Sequence, residues 1–137
     1  MYTTILVPIA FDEEGNDKAQ AAIAVARRLA ADGARIILVH VMETVPGYAI
    51  NYVPADFTAQ SKKAIQNELD EMAAQVPGGE GRVIDGHSGR AIIDWAEQNR
   101  VDLIVIASHR PGMQDLLLGS TATQVVRHAR CAVHVLR

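Results

Sequence analysis

The densest run of residues able to do chemistry is Ser108-His109-Arg110-Pro111-Gly112-Met113-Gln114-Asp115-Leu116-Leu117-Leu118-Gly119-Ser120-Thr121. An apolar run precedes it and an amphipathic one follows, so it reads as a loop that leaves a strand and enters a helix. The chemistry these residue types suit is anion binding. Gly119 lets backbone amides approach a ligand closely. Ser120 and Thr121 add hydroxyl donors at a helix start, where unpaired amides and the helix dipole already favour negative charge. Arg110 can fork onto a phosphoryl group, and His109 donates when protonated or serves as a neutral polar contact. The same residues are also ordinary helix-capping material, and an exposed arginine needs no ligand, so spacing alone leaves both readings open.

Such a loop works only if a fold holds it in place. Thr3-Thr4-Ile5-Leu6-Val7-Pro8-Ile9 is a short β-branched run ending near the acidic stretch from Phe11 to Gly15, which predicts a buried strand and its exit loop. Ala19, Ala22, Ile23, Ala26, Leu29 and Ala30 recur at helical spacing and predict a helix over 17–31, stopped by Asp32-Gly33. A second buried strand is expected over 35–41, then a long connection from Glu43 to Phe57, then a polar-faced helix over 58–75 stopped by Pro77-Gly78-Gly79. A short strand over 82–85 leads to a third helix capped by Ser88 and running to about Gln98. The most apolar strand spans 102–107. A fourth helix over 120–129 and a last strand over 132–136 complete the series. Continuous apolar strands alternating with helices call for a doubly wound α/β domain, its parallel sheet covered on both faces. With strand order 3-2-1-4-5, the crevice where the winding reverses lies between the first and fourth strands, and the loops after them open it.

Composition narrows the classes. At 137 residues the chain suits one domain, residues 1–137, and 49% hydrophobic against 21% charged residues supports a globular core. No apolar run approaches the roughly 20 residues of a membrane span, and no signal-type segment opens the sequence. The single cysteine, Cys131, cannot form an internal disulfide, and cytoplasm is the expected compartment. A net charge of -3 argues against a broad nucleic-acid surface, and one Trp, three Tyr and two Phe are too few for base-stacking platforms.

Several blocks carry a resemblance: Thr4-Ile5-Leu6-Val7-Pro8, Val39-His40-Val41, Ile104-Val105-Ile106-Ala107-Ser108-His109, Leu116-Leu117-Leu118-Gly119-Ser120, and Val126-Arg127-His128-Ala129-Arg130-Cys131. Together they resemble the universal stress protein (UspA) family over the whole chain. The Ser-His-Arg-Pro loop and Pro46-Gly47-Tyr48-Ala49 are similar to its UspF/UspG branch. The resemblance implies a cytoplasmic stress-response protein and a five-stranded sheet of order 3-2-1-4-5. It also implies ATP or AMP, with Mg2+ as a companion ion, held as a switch with at most slow hydrolysis or phosphoryl transfer. Homodimers through the last strand, Ala132 to Leu136, with tetramers as the larger assembly, are implied as well. It places Pro8, Ile9 and Ala10 beside adenine and ribose and Val41 at the adenine edge. Gly112, Gly119, Ser120 and Thr121 would follow ribose and phosphates, with Ser108, His109 and Arg110 at the mouth. Two features depart from the family pattern: Ala107 stands at the first glycine of the nucleotide loop, which is also a residue short and lacks its second glycine, and Ala10 stands where an Asp is common.

Other chemistries find less support. His40, His87, His109, His128 and His134 sit on different predicted elements, away from any metal-ligand spacing. Asp12-Glu13-Glu14 suggests a phosphoacceptor receiver, but that fold also needs a Lys after its fifth strand and a closing helix, and Asp85 at the end of the third strand does not rescue the reading alone. No Ser-His-Asp order surrounds a nucleophile turn, and Cys131 falls at a packed position. Tyr48, Ile50, Tyr52, Val53 and Phe57 are expected to pack on the protein's own surface, a flap over the nucleotide or a subunit patch being the other readings. The apolar final strand has an edge to offer a second copy. Beside the switch stands a reading from another class, a homo-oligomeric interaction module with a degenerate pocket.

Overall fold

The computed structural model describes residues 1–11, 15–43, 55–108 and 119–137. Its element order is β1 (Tyr2–Pro8), α1 (Gly15–Leu29), β2 (Ala30–Met42), α2 (Ala55–Ala74), β3 (Gly79–Asp85), α3 (Ser88–Gln98), β4 (Leu103–Ala107), α4 (Ser120–His128) and β5 (Ala132–Leu136). The strands form one parallel sheet in the order β3-β2-β1-β4-β5. This is the α/β topology that continuous apolar strands require, because side chains on both faces must be covered.

The two faces divide the strand residues strictly by alternation. Ile5, Val7, Ile36, Leu38, Leu103 and Val105 meet Ala19, Ala22, Ile23 and Ala26 of α1 and Leu69 and Ala73 of α2. Leu6, Ile37, Val39, Ile104 and Ile106 meet Ile92, Ile93 and Ala96 of α3 and Ala122 and Val125 of α4. Each fully buried Ile, Leu or Val stabilises the fold by about 1.5–3 kcal/mol relative to exposure. These central strands therefore hold the platform on which the loops sit.

Several boundaries differ from the expected ones, each for a local reason. α1 ends at Leu29, not Ala31, because Ala30 already pairs with Tyr2. The ladder then shifts register between Tyr2 and Thr4, Gly33 takes a left-handed φ of 75°, and regular pairing resumes at Arg35, the expected strand start. β3 starts at Gly79, since the segment read as a helix stop is already bonded beside Ile36. Ser88 does not cap α3. His87 is the N-cap residue and makes no side-chain capping bond, while the Glu43 carboxylate at the end of β2 accepts from the Ser88 amide at 3.2 Å. Asp102 lies just outside β4 and works as a clamp: its carboxylate accepts from the Thr3 amide (2.9 Å), the Thr3 hydroxyl (3.1 Å) and the Thr4 amide (3.0 Å). Phe57, expected in the connection, falls within α2, which begins at Ala55. Tyr48, Ile50, Tyr52, Val53 and the acidic run 12–14 lie outside the described residues. Among those described, no helix is long and apolar enough to cross a membrane.

Candidate functional site

The cleft arises from a divergence of hydrogen bonding at the carboxyl ends of two neighbouring strands. Past the end of β1, the Ile9 amide still donates to Val39 O at 2.7 Å, so this chain follows β2. Past the end of β4, the Ser108 amide donates to Leu136 O at 2.8 Å, so that chain follows β5. The β1–β4 ladder itself carries the pairs Ile5 with Leu103 and Leu6 with Ile104, whereas β1 and β2 stay paired through Pro8 and Val39. Between the parting ends lies a cavity of about 340 Å³. It sits where an open α/β sheet reverses its winding and where ligands of such folds bind.

Pro8, Ile9 and Ala10 form one part of its lining, and Val39, His40 and Val41 another. Ile106, Ala107 and Ser108 close it from β4. Gly119, Thr121 and Ala122 come from the start of α4, and Ser88 and Ile92 from α3. The far wall is Lys18, Ala19 and Ala22 of α1. Of the expected site residues, Pro8, Ile9, Ala10, Val41, Ala107, Ser108, Gly119 and Thr121 thus converge on one space. Ser120, exposed on the first turn of α4, is not part of that lining. His109, Arg110 and Gly112 lie outside the described residues.

The polar groups of the cleft have defined partners. Ser108 is buried, at 5% exposure, rather than standing at the mouth. Its hydroxyl donates to Leu136 O at 2.9 Å, and its carbonyl accepts from the Gly119 amide at 2.9 Å. It therefore ties the loop ends together and has spent its proton. The Ser88 and Thr121 hydroxyls stand 2.7 Å apart and share one hydrogen bond, which leaves one O–H of the pair to donate elsewhere. This contact needs α3 and α4 to approach closely at their first turns. Gly89 permits it, since a Cβ there would strike the side chain of Gln124. His40 lies 2.7 Å through Nδ1 from Ile9 O, and its ring packs 5.1 Å from that of Phe11. A carbonyl only accepts, so Nδ1 carries the proton, and in the neutral ring Nε2 is an acceptor. The cleft thus combines apolar strand ends, an imidazole acceptor, a hydroxyl pair and two neighbouring helix N-termini, a set suited to a flat heteroaromatic group joined to an anion.

Lys18, His40 and Ser88 were not singled out from the sequence as site residues. Ser88 carries a signal, lying between Gly86 and Gly89 at a helix start, but the same signal describes a cap. Lys18 and His40 carried none, because each takes its place through an element packed from elsewhere. Among the described residues, no group of three or more His, Cys, Asp or Glu side chains could hold a metal ion.

The chain belongs to the universal stress protein family, whose profile matches residues 1–137. It is 33% identical over 145 residues to the universal stress protein in the QAH/OAS sulfhydrylase 3′ region of Thermus aquaticus, covering all of both chains. It is 30% identical, over all of both chains, to universal stress protein G of Escherichia coli O157:H7, consistent with a UspG-like branch. Among solved structures, universal stress protein UspA from Lactobacillus plantarum superposes with a TM-score of 0.74 at 26% identity, over 99% of this chain and 98% of that one. More distant solved relatives share the fold. One universal stress protein is in complex with cAMP (22% identity, TM-score 0.68, 99% and 97% of the two chains). That from Archaeoglobus fulgidus is in complex with dAMP (18%, 0.68, 99% and 98%). One from Arabidopsis thaliana has AMP bound (16%, 0.62, 98% and 90%).

Proposed function

We propose that this protein is a cytoplasmic stress-response switch that binds an adenine nucleotide, ATP or AMP, in the cleft between β1 and β4, with residues 1–137 acting as one domain. The observation that carries this reading is the parting of β1 and β4 over a cavity lined by the first turns of α3 and α4. Solved relatives in complex with cAMP, dAMP and AMP support the choice of an adenylate. In this reading Pro8, Ile9 and Ala10 face adenine and ribose, and the Val41 backbone meets the adenine edge. Thr121 presents its hydroxyl and the first turn of α4 its amides to the phosphates, with Gly119 keeping the approach open, Ala107 and Ser108 beneath, and His109, Arg110 and Gly112 as further contacts. The described lining contains no carboxylate, so magnesium would arrive on the phosphates of ATP and be held by them and by water.

Thermal unfolding in millimolar ATP, AMP and cyclic AMP with magnesium tests the reading. A ligand that binds only the folded chain raises the transition temperature. An unmoved transition would leave the other reading, an interaction module with a degenerate pocket.

Assembly as a homodimer belongs to the same proposal. β5 pairs only with β4 in the described sheet, and its outer edge offers a row of backbone groups to a two-fold copy, with tetramers as a larger form. Val135→Lys is expected to convert the dimer to monomer by mass in solution, and an unchanged mass removes β5 from the interface.

A further inference from the structure

We propose, on the basis of the nucleotide and dimer readings above, that Ser108 is a positioning residue joining the cleft to the edge strand β5. Through it, a nucleotide in the cleft and a second copy of the chain on β5 strengthen each other's binding. Ser108 follows the last residue of β4, lines the cleft and is 5% exposed. Its amide at 2.8 Å and its hydroxyl at 2.9 Å both donate to Leu136 O, at the end of β5. Its own carbonyl accepts from the amide of Gly119, the N-cap residue of α4, at 2.9 Å. One buried residue thus holds the outer strand and the helix mouth of the cleft together.

The hydroxyl bond is more than the sheet needs. In a parallel ladder a strand carbonyl takes one amide donor from its neighbour, and the Ser108 amide already supplies it. Among the described residues, Ser108 is the one polar or charged residue that is buried, and a buried hydroxyl is costly unless it is bonded. Here that bond grips β5. The grip matters because none of the five residues of β5 is fully buried, and the strand has β4 as its one described neighbour in the sheet. Its position therefore depends more on hydrogen bonds than that of the central strands, whose Ile, Leu and Val side chains are buried on both faces.

An edge strand with little burial belongs to the low-stability part of a fold, and ordering it costs conformational entropy. A second copy pairing with the outer edge of β5 must meet that cost. So must a phosphate that draws on the first turn of α4, because Gly119, Ser108 and Leu136 are linked by consecutive hydrogen bonds. Whichever partner binds first orders the joint, and the other then meets a chain already ordered. The factor by which nucleotide tightens the dimer must equal the factor by which the dimer tightens nucleotide.

The test is sedimentation equilibrium of the full chain with and without saturating 5′-AMP, repeated with Ser108→Ala and Asp102→Ala. AMP is expected to lower the dimer dissociation constant of the native chain about tenfold. It should also slow hydrogen exchange at the β5 amides at a dilution where the chain is monomeric. Ser108→Ala should still bind AMP and still dimerise, with the shift reduced to within about twofold and the β5 exchange no longer slowed. Asp102→Ala, which weakens the fold at the other end of β4, should keep the shift. A cooperative unfolding transition would show that both variants fold. AMP binding and dimers with no shift in the native chain, a shift that survives Ser108→Ala, or one lost equally in Asp102→Ala overturns the proposal and leaves the nucleotide and dimer readings standing. A native chain that binds no AMP, or forms no dimer, overturns that reading and the proposal with it.

Discussion

The same two strands, β1 and β4, are closed at one end and open at the other. At their amino ends Asp102 sews them together: its carboxylate takes three hydrogen bonds from Thr3 and Thr4, and its own amide donates to Thr4 O at 2.9 Å. At their carboxyl ends β1 bonds on toward β2 and β4 toward β5, and a cavity of about 340 Å³ remains. Space for a ligand is thus made without thinning the core, because Ile5, Leu6, Val7, Leu103, Ile104 and Val105 between the two ends are all buried. The difference teaches that the hydrogen-bonded clamp and the cavity lie at opposite ends of one strand pair, and substitutions at the two ends should separate stability from the proposed binding.

Asp102→Ala is expected to show the largest effect. It leaves the Thr3 and Thr4 amides without their acceptor and should cost about 2 kcal/mol in chemical unfolding, with nucleotide affinity unchanged. Its pH dependence sharpens the point. Partial burial would raise the Asp102 carboxyl, but the hydrogen bonds from Thr3 and Thr4 outweigh this and hold it below the usual carboxylate range. A depressed native value means the contribution is complete above the unfolded value, about 4, and is lost as pH falls through the native one. The gap between Asp102→Ala and the native chain should therefore be constant from neutrality to about pH 5 and close below about pH 4. A gap that widens in acid would refute the clamp.

At the other end, Gly119→Val is expected to lower nucleotide affinity at least tenfold, about 1.4 kcal/mol, as read by calorimetry. Gly119 is buried at the α4 start, with φ −62° and ψ 161°, a backbone open to any residue, so the fold should persist. Unchanged affinity would move the ligand away from that helix mouth. Ser88→Ala removes the partner of the Thr121 hydroxyl and should cost about 1 kcal/mol, divided between stability and binding. If all of it falls on stability, the hydroxyl pair only joins α3 to α4 and takes no part in holding a ligand.

Legibility differed between these ends in an instructive way. The apolar runs at Ile5-Leu6-Val7, Ile36-Ile37-Leu38-Val39 and Leu103-Ile104-Val105-Ile106 pointed to a parallel sheet, since no other arrangement hides both faces of so many adjacent apolar residues. Gly119 and Thr121 were legible because a glycine and a hydroxyl at a helix start carry their local chemistry with them. From the sequence Asp102 reads as the first strand residue, because its partners Thr3 and Thr4 are nearly a hundred positions away and nothing local marks them. Ser88 was read as a cap for the same reason, its hydroxyl partner being 33 positions on.

Residue types and their periodicity, which act over three or four neighbours, were enough to decide the strands and the helices. What only the tertiary structure decided is which groups meet across the strand ends. Lys18 and His40 enter the cleft because α1 packs over β1 and β4 and because His40 is anchored to Ile9, contacts made between elements distant in the chain. Such meetings depend on how whole layers close on one another, and no short-range pattern records them.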